Sequence, residues 1–235
     1  MSYRFTTLKL LYITLSLFCL VSIVKGQPSY NYSRFDFGLA GAVNKPFTDS
    51  RSNDYSASGL ANVTFNQTPF LNYVGDLQAG QLTGNSNYSP TFQQSYRTRY
   101  LAPSVRVQLQ AGQFINYYNS RFLNALKNLY LSGGLGAIYS RTNINNTIQS
   151  VNNTPNMLNV SNYALFIPAR LGYEFKIFNA DKEPFIKVDI GYQFNYVFED
   201  RLDGIKSGNS SDGFNQLFIG LKFAVPGVVS YKKPL

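Results

Sequence analysis

The 235-residue sequence contains no histidine and a single cysteine, Cys19. That excludes a serine–histidine–acid triad and any metal site with an imidazole ligand. Carboxylates are what remain for acid–base work. Glu199, Asp200 and Asp203 cluster in a polar stretch and Asp212 follows them, the composition of a solvated acidic loop able at most to hold a cation weakly. No glycine-rich phosphate loop, CxxC pair or calcium-loop spacing occurs. No residue is therefore a catalytic candidate, no metal or other cofactor is implied, and the expectation is a protein that is not an enzyme. Ten other charges are placed differently. Arg34, Asp36, Asp76, Arg106, Arg170, Glu174, Lys176, Lys187, Asp189 and Lys222 stand in segments that alternate between apolar and polar residues. Six cations against four anions is close enough to balance for pairing among themselves.

The segments that must position them are strands. Phe185 to Phe198 shows the pattern best: Ile186, Val188, Ile190, Tyr192, Phe194, Tyr196 and Phe198 alternate with Lys187, Asp189, Gly191, Gln193 and Asn195. Successive side chains of a strand point to opposite faces, so a period of two separates a wholly apolar face from one bearing charges, amides and glycine. Comparable alternation spans 34–43, 58–66, 70–82, 97–112, 128–140, 162–177 and 216–225, which makes eight strands. Pro103 cannot donate to a ladder, so a bulge or local break is expected there. The connections read long, short, long, medium, long, short, long. Polar loops are expected at 44–56, 83–95, 142–159 and 199–213, a short helix within 114–127, and tight turns at 66–69 and 178–184. An even number of strands with alternating loop lengths implies an antiparallel barrel with unequal rims, and with both chain ends on the short-turn rim.

Which face meets water is the next question. In a soluble sandwich or lipocalin-like barrel the apolar faces turn inward and the charges are solvated. In a membrane barrel the apolar faces turn outward and the charges pair inside. Three features favour the second arrangement. The apolar faces are long and uninterrupted. Both signs of charge share the opposite faces, where unpaired burial would cost several kcal/mol per ion. Gly38, Gly80, Gly112, Gly134, Gly136, Gly172, Gly191 and Gly220 lie on those same charged faces, leaving space for long side chains in a narrow lumen. Aromatic residues also gather at two levels: Phe35, Phe37, Phe65, Tyr173, Phe175 and Phe223 near one rim, Tyr139, Tyr163, Tyr196 and Phe198 near the other, as two bilayer interfaces require.

The N-terminus reads as an export signal. Arg4 and Lys9 precede an apolar run, Leu10 to Val24, and Val24-Lys25-Gly26 fits a cleavage site. The run is shorter than the roughly 20 residues a spanning helix needs. Cleavage would leave 27–235 as one barrel domain without cysteine, and loss of Arg4, Lys9 and Lys25 lowers the net charge from +9 to +6. The basic residues are scattered through strands and loops and form no stripe, so nucleic acid is not an expected partner.

Gly133-Gly134-Leu135-Gly136, Ala169-Arg170-Leu171-Gly172-Tyr173-Glu174, Asp200-Arg201-Leu202-Asp203-Gly204 and Gly220-Leu221-Lys222-Phe223 resemble the small outer-membrane β-barrel proteins of the Bacteroidota, which carry an OmpA-like or porin-like barrel domain. The resemblance covers nearly all of the expected mature chain and is specific for architecture. It implies residence in a bacterial outer membrane with lipid as the first partner. It brings neither a peptidoglycan-binding domain after Leu235 nor the histidine-dependent activities of barrel lipases, deacylases, palmitoyl transferases and proteases. The expected role is structural or binding, with a largely closed, charge-filled lumen and contact to another envelope protein or an extracellular ligand through 142–160 and 199–213. The alternatives are a narrow anion-preferring pore and an accessory subunit of a larger envelope complex.

Overall fold

The computed structural model describes residues 30–47, 52–89, 92–117, 120–148, 156–179, 183–198 and 212–231. The expected signal peptide, residues 1–26, and most of the expected loop 199–213 lie outside them. The elements run β1 (Tyr30–Ser33), β2 (Phe35–Phe47), β3 (Ser52–Asp54), β4 (Ser56–Asn66), β5 (Leu71–Ser89), β6 (Phe92–Gln110), a 3-10 turn (Ala111–Gln113), α1 (Arg121–Leu126), β7 (Leu129–Ile148), β8 (Asn156–Phe178), β9 (Pro184–Val197), β10 (Gly213–Ala224) and β11 (Val228–Tyr231).

Strands β2, β4, β5, β6, β7, β8, β9 and β10 each pair antiparallel with the next, and β10 pairs back onto β2 through positions such as Leu221 opposite Leu39. The ring closes, so the fold is an eight-stranded antiparallel β-barrel in which each of the eight strands is paired on both sides. The barrel strands share one alternation of exposed and buried positions, with the apolar side outward. Leu39, Leu131 and Tyr163 are 68%, 65% and 74% exposed, while Gln108, Gln110 and Gln193 are fully buried. The polarity of an ordinary globular core is thus inverted.

Four differences from expectation have physical causes. The stretches 83–95 and 142–159 are largely strand: β5 and β6 continue as a paired hairpin to Ser89 and Phe92, and β7 and β8 to Ile148 and Asn156. Asn and Ser are poor signals of a strand by composition, but ladder partners such as Gly84 with Tyr96 and Asn143 with Asn159 satisfy the backbones of these stretches. The polar stretch 44–56 likewise carries β2 to Phe47 and the short β3, which adds to β5 beyond the end of β4. The chain termini form a second, two-stranded sheet in which β1 pairs with β11, Tyr30 opposite Tyr231. Gly227, with φ of 129°, makes the reversal that brings β11 back, a backbone region that favours glycine. The local break expected at Pro103 is present: pairing to β7 lapses for Ala102 and Pro103, while the register on either side is unbroken.

The inward glycines accommodate rings more than cations. A Cβ on Gly172 would lie 2.5 Å from the Tyr130 hydroxyl, one on Gly191 2.8 Å from Phe218, and those on Gly112 and Gly136 would collide with Phe70 and Phe166. Among these positions Gly38 leaves room for a cation, Lys222, at 2.8 Å. Gly134 faces the backbone: its Cβ would collide with the Val105 carbonyl, which cannot move without breaking the ladder. Gly133 beside it points outward into open space. Gly134→Ala is therefore expected to destabilise by the upper part of the roughly 1–3 kcal/mol typical of overpacking, and Gly133→Ala to leave stability unchanged. Urea unfolding of the two refolded variants checks this.

Candidate functional site

The lumen is filled in layers, and the strands deliver each layer from positions two residues apart. Nearest the short-turn rim is an aromatic and cationic cap. Phe70 is fully buried there, with ring centroids 5.8 Å from Tyr30, 5.6 Å from Tyr117 and 6.5 Å from Tyr231. The two-stranded sheet lies over this rim, tied down by Tyr32 Oη donating to the Gln67 carbonyl at 2.9 Å and Ser33 Oγ to the Val225 carbonyl at 2.7 Å. Lys127 stands over the rings of Tyr30 and Tyr117, and Lys176 over Tyr30 and Phe70. Burial pushes the Tyr30 and Tyr117 hydroxyls above their ordinary values and holds the Lys127 ammonium below its own.

Above the cap is the ionic layer. Lys222 Nζ lies 2.5 Å from Glu174 Oε1 and 2.9 Å from Asp189 Oδ2. Lys187 Nζ is 2.5 Å from Asp36 Oδ2, and Arg106 Nε is 2.6 Å from Asp76 Oδ2. Further lone pairs are met by neutral donors: Gln108 and Gln110 donate to Glu174 at 3.1 and 2.6 Å, Tyr130 Oη to Asp189 at 2.7 Å, and Asn66 to Asp36 at 2.8 Å. Arg170 belongs to none of the ion pairs among the described residues. Its Nε donates to Gln193 at 2.7 Å and its guanidinium stacks on Phe218 at 4.0 Å, which replaces water with a π face.

Next comes an amide layer. Gln216 Nε2 donates to Asn44 Oδ1 at 3.0 Å and to Tyr100 Oη at 3.2 Å, while Gln193 and Asn195 donate to Gln216 Oε1 at 3.0 and 2.9 Å. Toward the long-loop rim the interior turns apolar, where Leu82, Tyr100, Ala102, Ile138, Phe166, Val197 and Phe214 pack together.

Nine of the ten charges read from the sequence are brought together here, eight of them buried and Lys176 half-buried. Arg34 is the correction: it lies exposed at the bend between β1 and β2, because it is the single residue separating the two strands and the alternation begins at Phe35. Five cations then face four anions. Alternation located the polar face but could not name Tyr130, Gln108, Gln193 or Gln216 as partners, since amides and hydroxyls carry no sign that reveals what they meet. Of the acidic-loop candidates, Asp212 is buried and its carbonyl accepts from the Val197 amide at 2.9 Å, and Glu199, Asp200 and Asp203 lie outside the described residues. Among the described residues no group of three His, Cys, Asp or Glu side chains is arranged to hold a metal ion.

The architecture and the interior together define the class: a closed barrel of eight strands, apolar outside, with paired ions and amides inside. No protein-family profile and no curated protein matches the sequence. Among solved structures, the chain is similar to the attachment invasion locus protein Ail of Yersinia pestis (12% identity, 82% of this chain and 98% of that one, TM-score 0.45), to a major outer membrane protein of Thermus thermophilus (12%, 80% and 98%, 0.44) and to Neisserial surface protein A (12%, 85% and 100%, 0.42).

Lys222 bridges two buried carboxylates, so Lys222→Met leaves both without their cation. Removing one partner of a buried pair costs about 3–5 kcal/mol, whereas Arg34→Met, at an exposed bend, stays within about 0.5 kcal/mol. Denaturant midpoints of the two variants are expected to separate accordingly.

Proposed function

We propose that this protein is an integral barrel of a bacterial outer membrane, without enzymatic activity, whose lumen is closed and whose long-loop rim serves recognition. The observation that carries the reading is the inverted polarity: a continuous apolar exterior around a buried ionic interior. Soluble monomers do not expose apolar surface on this scale. No helix among the described residues is long and apolar enough to cross a membrane, which leaves the strands to do so.

The dimensions fit. From Leu129 to Tyr139 the outward face of β7 is apolar, about 34 Å along the strand, and at a tilt near 40° this spans about 26 Å against the roughly 25 Å apolar band of such barrels. Aromatic rings mark both edges of the band. Phe35 and Phe65 (5.3 Å) and Tyr173 and Phe175 (4.5 Å) lie at the short-turn edge, Tyr139 and Tyr163 (4.7 Å) and Tyr196 and Phe198 (5.5 Å) at the other. Exposed Phe114 and Phe122, in the connection that holds α1, add to the short-turn edge, where Tyr173 Oη donates to the Ala125 carbonyl at 2.6 Å.

Two packed layers, the aromatic cap and the apolar cluster around Phe166, bracket the ions and support a closed lumen over a pore. The extended β5–β6 and β7–β8 hairpins would carry the recognition surface, in place of the broad loops expected from composition.

The refolded chain is expected to require detergent or lipid, to shift in gel mobility on boiling, and to give silent planar bilayers. A monodisperse detergent-free solution would overturn the membrane reading. Discrete anion-selective steps lost in Arg170→Ala would replace the closed lumen with a narrow pore.

A further inference from the structure

We infer that Arg97, Arg99 and Arg141 form an anion-binding patch on the outer wall that holds the phosphorylated headgroup of a membrane lipid in the leaflet at the long-loop rim. The inference rests on the membrane reading above.

The patch follows from register. Arg99 on β6 is directly opposite Arg141 on β7, and Arg97 is opposite Asn143, which places it diagonal to Arg141 on the same face. All three are exposed, and they alternate with buried Tyr96, Thr98, Tyr100, Ser140 and Thr142, so they point away from the lumen. Directly opposed cross-strand residues have Cβ atoms about 5 Å apart and diagonal ones about 7–8 Å, and like charges so placed destabilise a sheet. No ion pair among the described residues offsets that repulsion, since all four lie inside the barrel. An external anion would.

The surroundings say which anion. On the eight barrel strands, every outward-facing charge among the described residues is cationic, Lys45 being the fourth, and all stand at the long-loop rim; the short β3 brings one exposed acid, Asp54, opposite Thr83 and so two strands from Arg97, with which it forms no ion pair. The apolar wall ends just below. Arg141 is two residues beyond Tyr139 and Arg99 two before Leu101 on the antiparallel neighbour, about 7 Å along each strand, which is where headgroups sit above acyl chains. Guanidinium groups match phosphate oxygens two at a time. The flanking strands present Gln81 opposite Arg99 and Ser161 opposite Arg141, neutral groups able to hydrogen-bond the rest of a headgroup. A patch that faces sideways and continues into apolar wall suits a molecule with phosphate above and hydrocarbon below. A soluble polyanion would use only the arginines.

The test uses the full chain refolded into phosphatidylcholine vesicles doped with fluorescent diphosphoryl lipid A, with R97Q/R99Q/R141Q as the variant and Lys45→Gln as a control. Each arginine near a phosphorylated surface contributes roughly a fivefold change in affinity, so the triple variant is expected to bind on the order of a hundredfold more weakly while keeping its boiling-dependent mobility shift. The dephosphorylated lipid should bind the unsubstituted protein no better than diphosphoryl lipid A binds the variant. Binding of the folded triple variant within twofold of the original overturns the patch. Equal competition by inorganic phosphate or by a soluble sulfated oligosaccharide overturns its assignment to lipid. If the unsubstituted protein fails to insert into vesicles at all, the membrane reading falls and takes this inference with it.

Discussion

Burying charge inside a barrel is possible only if each ion finds a partner, and that constraint organises the interior. Lys222, held between Glu174 and Asp189, is the centre of it. The Coulomb gain of such pairs is offset by the desolvation of every member, so the ionic layer contributes specificity more than net stability. Asp36, Glu174 and Asp189 also accept from an amide or a phenol, and those secondary donors come from β4, β6 and β7. A slip of one residue in any strand would put its polar members outside and its apolar members in. The ion set therefore locks the register that the backbone ladder alone leaves free.

Aromatic rings and glycines solve the volume problem that the ions create. Eight strands enclose space for little more than their own side chains, and a Tyr or Phe on one strand fits because the facing position on the next is glycine. Tyr130 over Gly172 is the instructive pair: the missing Cβ admits the ring, and the ring delivers its hydroxyl to Asp189 at 2.7 Å. Packing and electrostatics are thus solved by one contact. At the two ends the interior changes character, with rings and the cations Lys127 and Lys176 at the short-turn end and an apolar cluster of aliphatic and aromatic side chains at the other.

The outer wall separates just as sharply. Its middle is apolar and its edges aromatic, and its outward charges among the described residues, four cations on the barrel strands and Asp54 on β3, are confined to one rim. An asymmetric bilayer is an environment in which such a one-sided distribution is consistent with the inward location of the described ion pairs. The termini add a second asymmetry, since β1 and β11 pair with each other and cover only the short-turn rim.

Alternation in the sequence was sufficient to locate the eight barrel strands and to say which residues of each share a face, because a period of two is a local property of the backbone. It also placed Asp36, Asp76, Arg106, Arg170, Glu174, Lys187, Asp189 and Lys222 on one side of the wall. It failed where composition stood in for geometry. The Asn- and Thr-rich stretches read as loops became hairpins, and Arg34, one residue ahead of the first alternating pair, left the set. What only the tertiary structure decided is who meets whom: Gln216 with Asn44, Arg170 with Phe218, Arg99 with Arg141. Those meetings depend on the stagger between strands distant in sequence, and stagger is fixed by closing the ring, which no single segment encodes.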